Sequence, residues 1–259
     1  WITGFIKDNM ALVVHEDEDV AKLKIELQIL ECKVVALSTE KDGLEKEIAN
    51  FHQRTNLDLG ELTAKYLKLQ AALKQKKADE AQSEPSKKER IETEAKEAQE
   101  EYESYEKNLD NFKEQPPVPE LSNDDQEQLK IFFRKAIQLC HPDKVSESER
   151  EDAVEHFIEL QAAYEHNDLE KVKIIHENLV NNRPYTESSD TLSDSQLIKQ
   201  EIRRLESALD GLLSEILVLK KQMFGLRIDE IVDWDEYFSK QKQTYIDAIE
   251  QLEIELSHV

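Results

Sequence analysis

Four consecutive residues, His141-Pro142-Asp143-Lys144, gather an imidazole, a fixed backbone torsion, a carboxylate and an ammonium. Proline locks its own φ and cannot continue a helix, so a helix reaching this point must end and the polypeptide must turn. A carboxylate presented outward from such a turn can accept a charge-assisted pair of hydrogen bonds from an arginine. That is the chemistry of recognition, with His141, at a helix C-terminus, placed to orient the loop. Upstream, Lys130 and Arg134 stand four residues apart and so share a helical face, with Lys135 beside them. In a protein of net charge −23 they form a local cation able to dock an acidic partner. The plain alternatives are a helix-ending proline whose polar neighbours cap the flanking helices and, for the cations, a solvated amphipathic face.

Other chemistry is harder to build. Cys140 adjoins His141, but neighbouring residues do not face each other on a helix and no orienting acid is in sight, so a packed thiol is expected. Cys32 and Cys140 form no C-x-x-C pair, and His156, His166 and His176 show no ligand spacing, so no metal is expected. Without a carboxylate pair, nucleophile triad or phosphate loop, the sequence reads as a non-enzyme with no cofactor. The charge of −23 opposes nucleic acid, which demands a concentrated basic surface. No run of about eighteen apolar residues is present, so no membrane span is expected in this stretch. Free thiols suit a reducing, cytoplasmic compartment. The sequence opens Trp1-Ile2-Thr3-Gly4-Phe5-Ile6 without a Met, which leaves room for an upstream segment or anchor.

The elements that must hold the loop are helical. With 35% charged residues, five Gly and six Pro, composition favours long helices and an all-α fold. Val20, Leu23, Leu27, Leu30, Val34, Leu37, Leu44, Ile48 and Phe51 step by three and four with only Lys41 interrupting the register, a heptad seam. Polar residues at 52–60, with Asn56 and Gly60, predict a reversal before the stripe restarts at Leu62. Pro85 predicts a break or a mobile elbow across 76–90, and a further helix runs to about Gln115, where Pro116-Pro117-Val118-Pro119 forces an extended joint. Ser122 or Asn123 caps the helix that ends near Cys140, with Leu129, Phe133 and Ile137 on its apolar face. Helices over about 147–165 and 168–179 follow, the first carrying Val154, Phe157, Leu160 and Tyr164. The polar stretch after Asn181 reads as a flexible linker. A last seam from Ile198 to Met223 turns at Gly225 into a helix bearing Trp234, Phe238 and Tyr245, read as core aromatics.

The expected organisation is an irregular segment 1–19, a coiled-coil-like hairpin 20–103, a compact helical unit 104–180, a linker 181–194 and a second hairpin 195–259. Short seams bury too little surface alone, so the hairpins must pack on each other, on the central unit or on another copy, making a homo-oligomer.

With these neighbours in place, the central segment resembles the J-domain of DnaJ-type co-chaperones. There a basic helix leads into a His-Pro-Asp loop and the next helix packs back through an F-x-x-[IL]-x-x-A-Y pattern, met here by Phe157, Leu160, Ala163 and Tyr164. The likeness spans about a quarter of the sequence. It implies a DnaK-type chaperone as partner, whose ATPase is stimulated when Asp143 pairs with an arginine beside the interdomain linker. His141, Pro142, Asp143, Lys144, Lys130, Arg134 and Lys135 would form the docking surface. The family's first helix is not obvious at its usual distance, and the end of the third long helix, with Tyr105, Leu109 and Phe112, is expected to replace it. Its final helix is replaced by Asn167-Asp168-Leu169-Glu170-Lys171. Gly/Phe-rich and cysteine-rich segments are absent, so the hairpins would recruit a client or fix a location. The competing reading is a coiled-coil adaptor that keeps a J-like fold for packing alone.

Overall fold

The computed structural model describes residues 2–80, 85–114, 118–119, 121–181 and 185–258, with the side chains of 2–18 and 85–87 outside the description. The fold is all-α, with no strand among the described residues. In sequence order the helices are α1 (Ile2–Glu80), α2 (Pro85–Glu114), α3 (Asn123–Cys140), α4 (Arg150–Glu165), α5 (Leu169–Asn181), α6 (Ser188–Thr191), α7 (Ser195–Leu226) and α8 (Trp234–His258). They form two compact units, one of Trp1–Lys46 and Val118–Gln222, the other of Glu47–Pro117 and Met223–Val259.

α1 replaces both the irregular segment expected at 1–19 and the reversal expected at 52–60. No proline occurs between 2 and 80, so nothing removes a backbone donor or blocks the helical ladder. Gly60 costs about 1 kcal/mol relative to Ala, a weak local preference that tertiary packing overrides. Leu59 is buried, and the bare Cα of Gly60 lies where a Cβ would come 2.6 Å from Leu109 Cδ1 of α2. α1 thus runs on to Glu80, and α2, beginning at Pro85, packs against it. Pro85 opens α2, at the first helical turn where its missing N–H is not needed. Of the elbow expected over 76–90, residues 81–84 lie outside the described residues, as do Pro116 and Pro117 of the proline joint.

In the second unit, α2 and α8 lie along the latter part of α1. Lys113 pairs with Glu61 at 2.5 Å, and α2 runs antiparallel to α1. Phe51 meets Trp234 and Phe238 with ring centroids 5.9 and 5.8 Å apart, and Tyr66 meets Tyr245 at 5.9 Å. Phe51 and Phe238 are buried, whereas Trp234 and Tyr245, expected as core, are only half-buried. Tyr105, Leu109 and Phe112 belong to this unit, so they do not supply the helix missing ahead of the His-Pro-Asp loop.

In the first unit, α3, α4 and α5 enclose a core of Leu129, Phe133, Ala136, Ile137, Cys140, Leu160, Ala163, Tyr164, Val172 and Ile175. Phe133 and Tyr164 stack with centroids 4.0 Å apart. Val154, expected on the buried face of α4, is 37% exposed, and Ala153 is buried instead. Val35 of α1 joins this core, so α1 occupies the place expected of Tyr105, Leu109 and Phe112. A second cluster sets Leu27, Leu30 and Val34 of α1 against Ile198, Ile202 and Leu205 of α7. α7 thus packs on α1 in the first unit, and α8 on α1 in the second. α7 passes through Gly225 and ends at Leu226; the turn comes at Arg227, which takes the left-handed φ of 56°.

Candidate functional site

Local rules place the loop as read. Ser122 Oγ accepts the Asp125 N–H at 3.2 Å, capping α3, and Asp124 and Asp125 lie in its first turn, where carboxylates complement the helix dipole. α3 ends at Cys140 and His141 leaves it with extended backbone, as the following Pro142 requires. Burial pushes the Cys140 thiol up to about 12, so it is a packed thiol.

The His141 ring is buried, 4% exposed, with the Phe157 ring at 5.1 Å. Its Nδ1 accepts the Asp143 backbone N–H at 3.2 Å, which leaves the proton on Nε2 to be donated to Ser38 Oγ of α1 at 2.9 Å. Burial pushes this imidazole down to about 4, outweighing the Asp143 carboxylate, and keeps it neutral. One neutral ring therefore ties α1 to the loop and shapes the turn on which Asp143 sits.

Asp143 is already engaged. Arg204 Nη1 of α7 donates to Asp143 Oδ1 at 2.6 Å, and Arg204 Nη2 donates to the Asp143 carbonyl at 3.3 Å. Glu201 holds the same guanidinium: Nε donates to both its carboxylate oxygens at 3.0 Å and Nη2 to one at 2.7 Å. Burial works against the Arg204 charge, but the bonds to Glu201 and Asp143 win and raise its pKa further. Arg150 of α4 donates through Nη2 to Glu201 at 3.0 Å and through Nε to the Pro142 carbonyl at 3.2 Å. Asp143, Arg204, Glu201 and Arg150 are thus joined in one network between the loop, α4 and α7.

The other side of the loop is held by the segment after α5. The Ser146 N–H donates to the Thr186 carbonyl at 2.8 Å, the Ser188 N–H to the Lys144 carbonyl at 3.0 Å, and Lys144 Nζ pairs with Glu187 at 2.7 Å. Ser188 and Ser189 are buried, and Glu31 of α1 accepts the Ser189 N–H at 3.1 Å and its hydroxyl at 2.8 Å. Residues 185–191 are accordingly an anchored strap, which corrects the flexible linker expected over 181–194; residues 182–184 lie outside the described residues.

Lys130, Arg134 and Lys135 are exposed on α3. Lys135 Nζ and Lys173 Nζ lie 5.6 and 5.8 Å from the centroid of Phe132. The expected site is thus brought together in one unit but in two conditions: the cationic face of α3 is open to solvent, whereas Asp143 and Lys144 have partners within the same polypeptide.

No family model, curated protein or solved structure matches this sequence. No helix among the described residues is long and apolar enough to cross a membrane.

The residues missed from sequence are Ser38, Glu31, Arg150, Glu201 and Arg204. The one available signal is Glu201, three residues before Arg204 and so able to hold its side chain on a helix.

Proposed function

We propose that this protein is a cytoplasmic J-type co-chaperone that stimulates ATP hydrolysis by a DnaK-type partner, with Asp143 as the residue that receives the partner's arginine. The observation that supports this most directly is the arginine-receiving geometry of the loop. The Asp143 carboxylate and its own carbonyl together accept a guanidinium fork, while the neutral His141 holds the turn from beneath. The open cations of α3 would steer an acidic chaperone surface toward the loop, an effect that salt weakens. The long helices of the second unit would hold a client. The protein acts on its partner's ATPase and has no reaction of its own.

The test is single-turnover ATP hydrolysis by purified DnaK in the presence of this protein and of its Asp143→Asn variant. Stimulation that vanishes in the variant supports the reading; equal stimulation by both, or none by either, refutes it.

A second reading is favoured by one specific observation, the internal satisfaction of Asp143 and Lys144. A loop used only for packing needs no external partner, and the protein would then be an adaptor whose helices join other proteins or a second copy. Absence of ATPase stimulation together with a stable oligomer in light scattering would select it.

A further inference from the structure

We propose that Arg204 is an internal substitute for the partner's arginine, so that the protein holds its own Asp143 closed and is activated when α7 releases it. This rests on the co-chaperone reading and adds the regulation of its site.

The geometry supports a latch more than a structural pair. Arg204 bonds Asp143 twice, once at the carboxylate through which an incoming arginine would dock and once at the carbonyl of the same residue. Its guanidinium is aimed by Glu201, which takes three of its hydrogen bonds, so the fork is oriented before it meets Asp143. Lys144, the next charged group of the loop, is likewise taken by Glu187 of the strap. Both partners come from the segments that follow α5, the strap and α7, rather than from α3–α5 themselves.

The latch is also releasable. The Asp143 and Arg204 side chains are 28% and 35% exposed, so water reaches the pair and neither ion is stranded when it opens. The hydrophobic seam that seats α7 on α1, through Ile198, Ile202 and Leu205, does not include Arg204, which can swing out without unpacking it. The exposed cations Lys130, Arg134 and Lys135 remain available throughout. A chaperone can therefore dock on α3 first and then exchange its own arginine for Arg204, guanidinium for guanidinium. Closure lowers apparent affinity by the fraction of molecules that are open. An ion pair of this exposure lowers it by roughly five-fold.

The experiment compares the parent protein with Arg204→Gln, Asp143→Asn and the double variant, in single-turnover hydrolysis by purified DnaK at sub-saturating co-chaperone. The expected result is roughly five-fold stronger stimulation by Arg204→Gln than by the parent, and none by either protein carrying Asp143→Asn. Equal stimulation by the parent and Arg204→Gln, lost with Asp143→Asn, overturns the latch and leaves the co-chaperone reading standing. No stimulation by either the parent or Arg204→Gln, or stimulation that survives in the double variant, overturns both. Arg204→Lys, which keeps the charge but lacks the fork, gives an intermediate gain if the latch is right and covers the case in which Arg204→Gln does not fold.

Discussion

Replacing Glu31 by glutamine changes how stability depends on pH. Glu31 is fully buried on α1, and its two oxygens accept the backbone N–H and the hydroxyl of Ser189 at the start of α6. Burial dominates these bonds and raises the carboxyl from its ordinary 4.5 to about 7. With the folded value above the unfolded one, this group's contribution is fully present below about pH 4.5 and is lost as pH rises through about 7. Each pH unit between the two values is worth about 1.4 kcal/mol, which bounds the effect at about 3 kcal/mol. Relaxation of the surroundings around the buried carboxylate reduces it to roughly 1–2 kcal/mol. Glutamine keeps an acceptor for the Ser189 N–H, and its amide can donate to the Ser189 hydroxyl, so the variant loses the titration but not the bonds. Glu31→Gln should therefore match the parent near pH 5 and exceed it by roughly 1–2 kcal/mol at pH 8. Urea unfolding followed by circular dichroism at both pH values measures this, and amide exchange of peptides over 186–192 locates it. Asp42, raised to about 6 by burial, and His141, lowered to about 4, titrate in the same window with opposite signs, but both are common to the two proteins and cancel in the difference. A difference that does not grow between pH 5 and pH 8 refutes the reasoning.

Two further substitutions probe the site and its support. Ser38→Ala leaves the Nε2–H of the buried His141 without an acceptor and should cost about 1–3 kcal/mol in denaturant unfolding, with faster amide exchange at Asp143; an unchanged midpoint would show that the α1 contact does not hold the loop. Gly43→Ala places a methyl group where no atom lies within 4 Å, in the middle of α1, and should stabilise by up to about 1 kcal/mol, raising the thermal midpoint by about 2–4 °C; a lower midpoint would show that Gly43 is needed for something other than the helix.

The chemistry of the site is a competition among arginines, carboxylates and backbone carbonyls rather than a set of isolated pairs. Glu201 bonds both Arg150 and Arg204, and those two reach the loop at Pro142 and Asp143 respectively. Removing one member leaves the others partly engaged, so single substitutions in this group will not add simply.

Much of the site was legible along the sequence because the rules involved act over a few residues. A proline after a helical stripe ends it, a serine ahead of acidic residues caps it, and side chains three and four apart share a face. These place the start of α3 at Ser122, its end at Cys140, its buried face at Leu129, Phe133 and Ile137, and the Leu160-Ala163-Tyr164 stripe opposite. The same rules misplaced the first hairpin, because the preference of Asn56 and Gly60 against helix is small beside the burial of Leu59 and the close approach of Leu109. They were silent on the partners of the loop. Ser38 meets His141 across 103 residues and Arg204 meets Asp143 across 61, and such meetings depend on how one helix is registered against another. That register follows from the packing of Val35 into the core of α3–α5 and of Leu27, Leu30 and Val34 against α7, which many seams of similar composition could satisfy in other ways. The presence of an arginine-receiving loop follows from four adjacent residues; its closure by an arginine of the same polypeptide follows from the packing of α7 along α1.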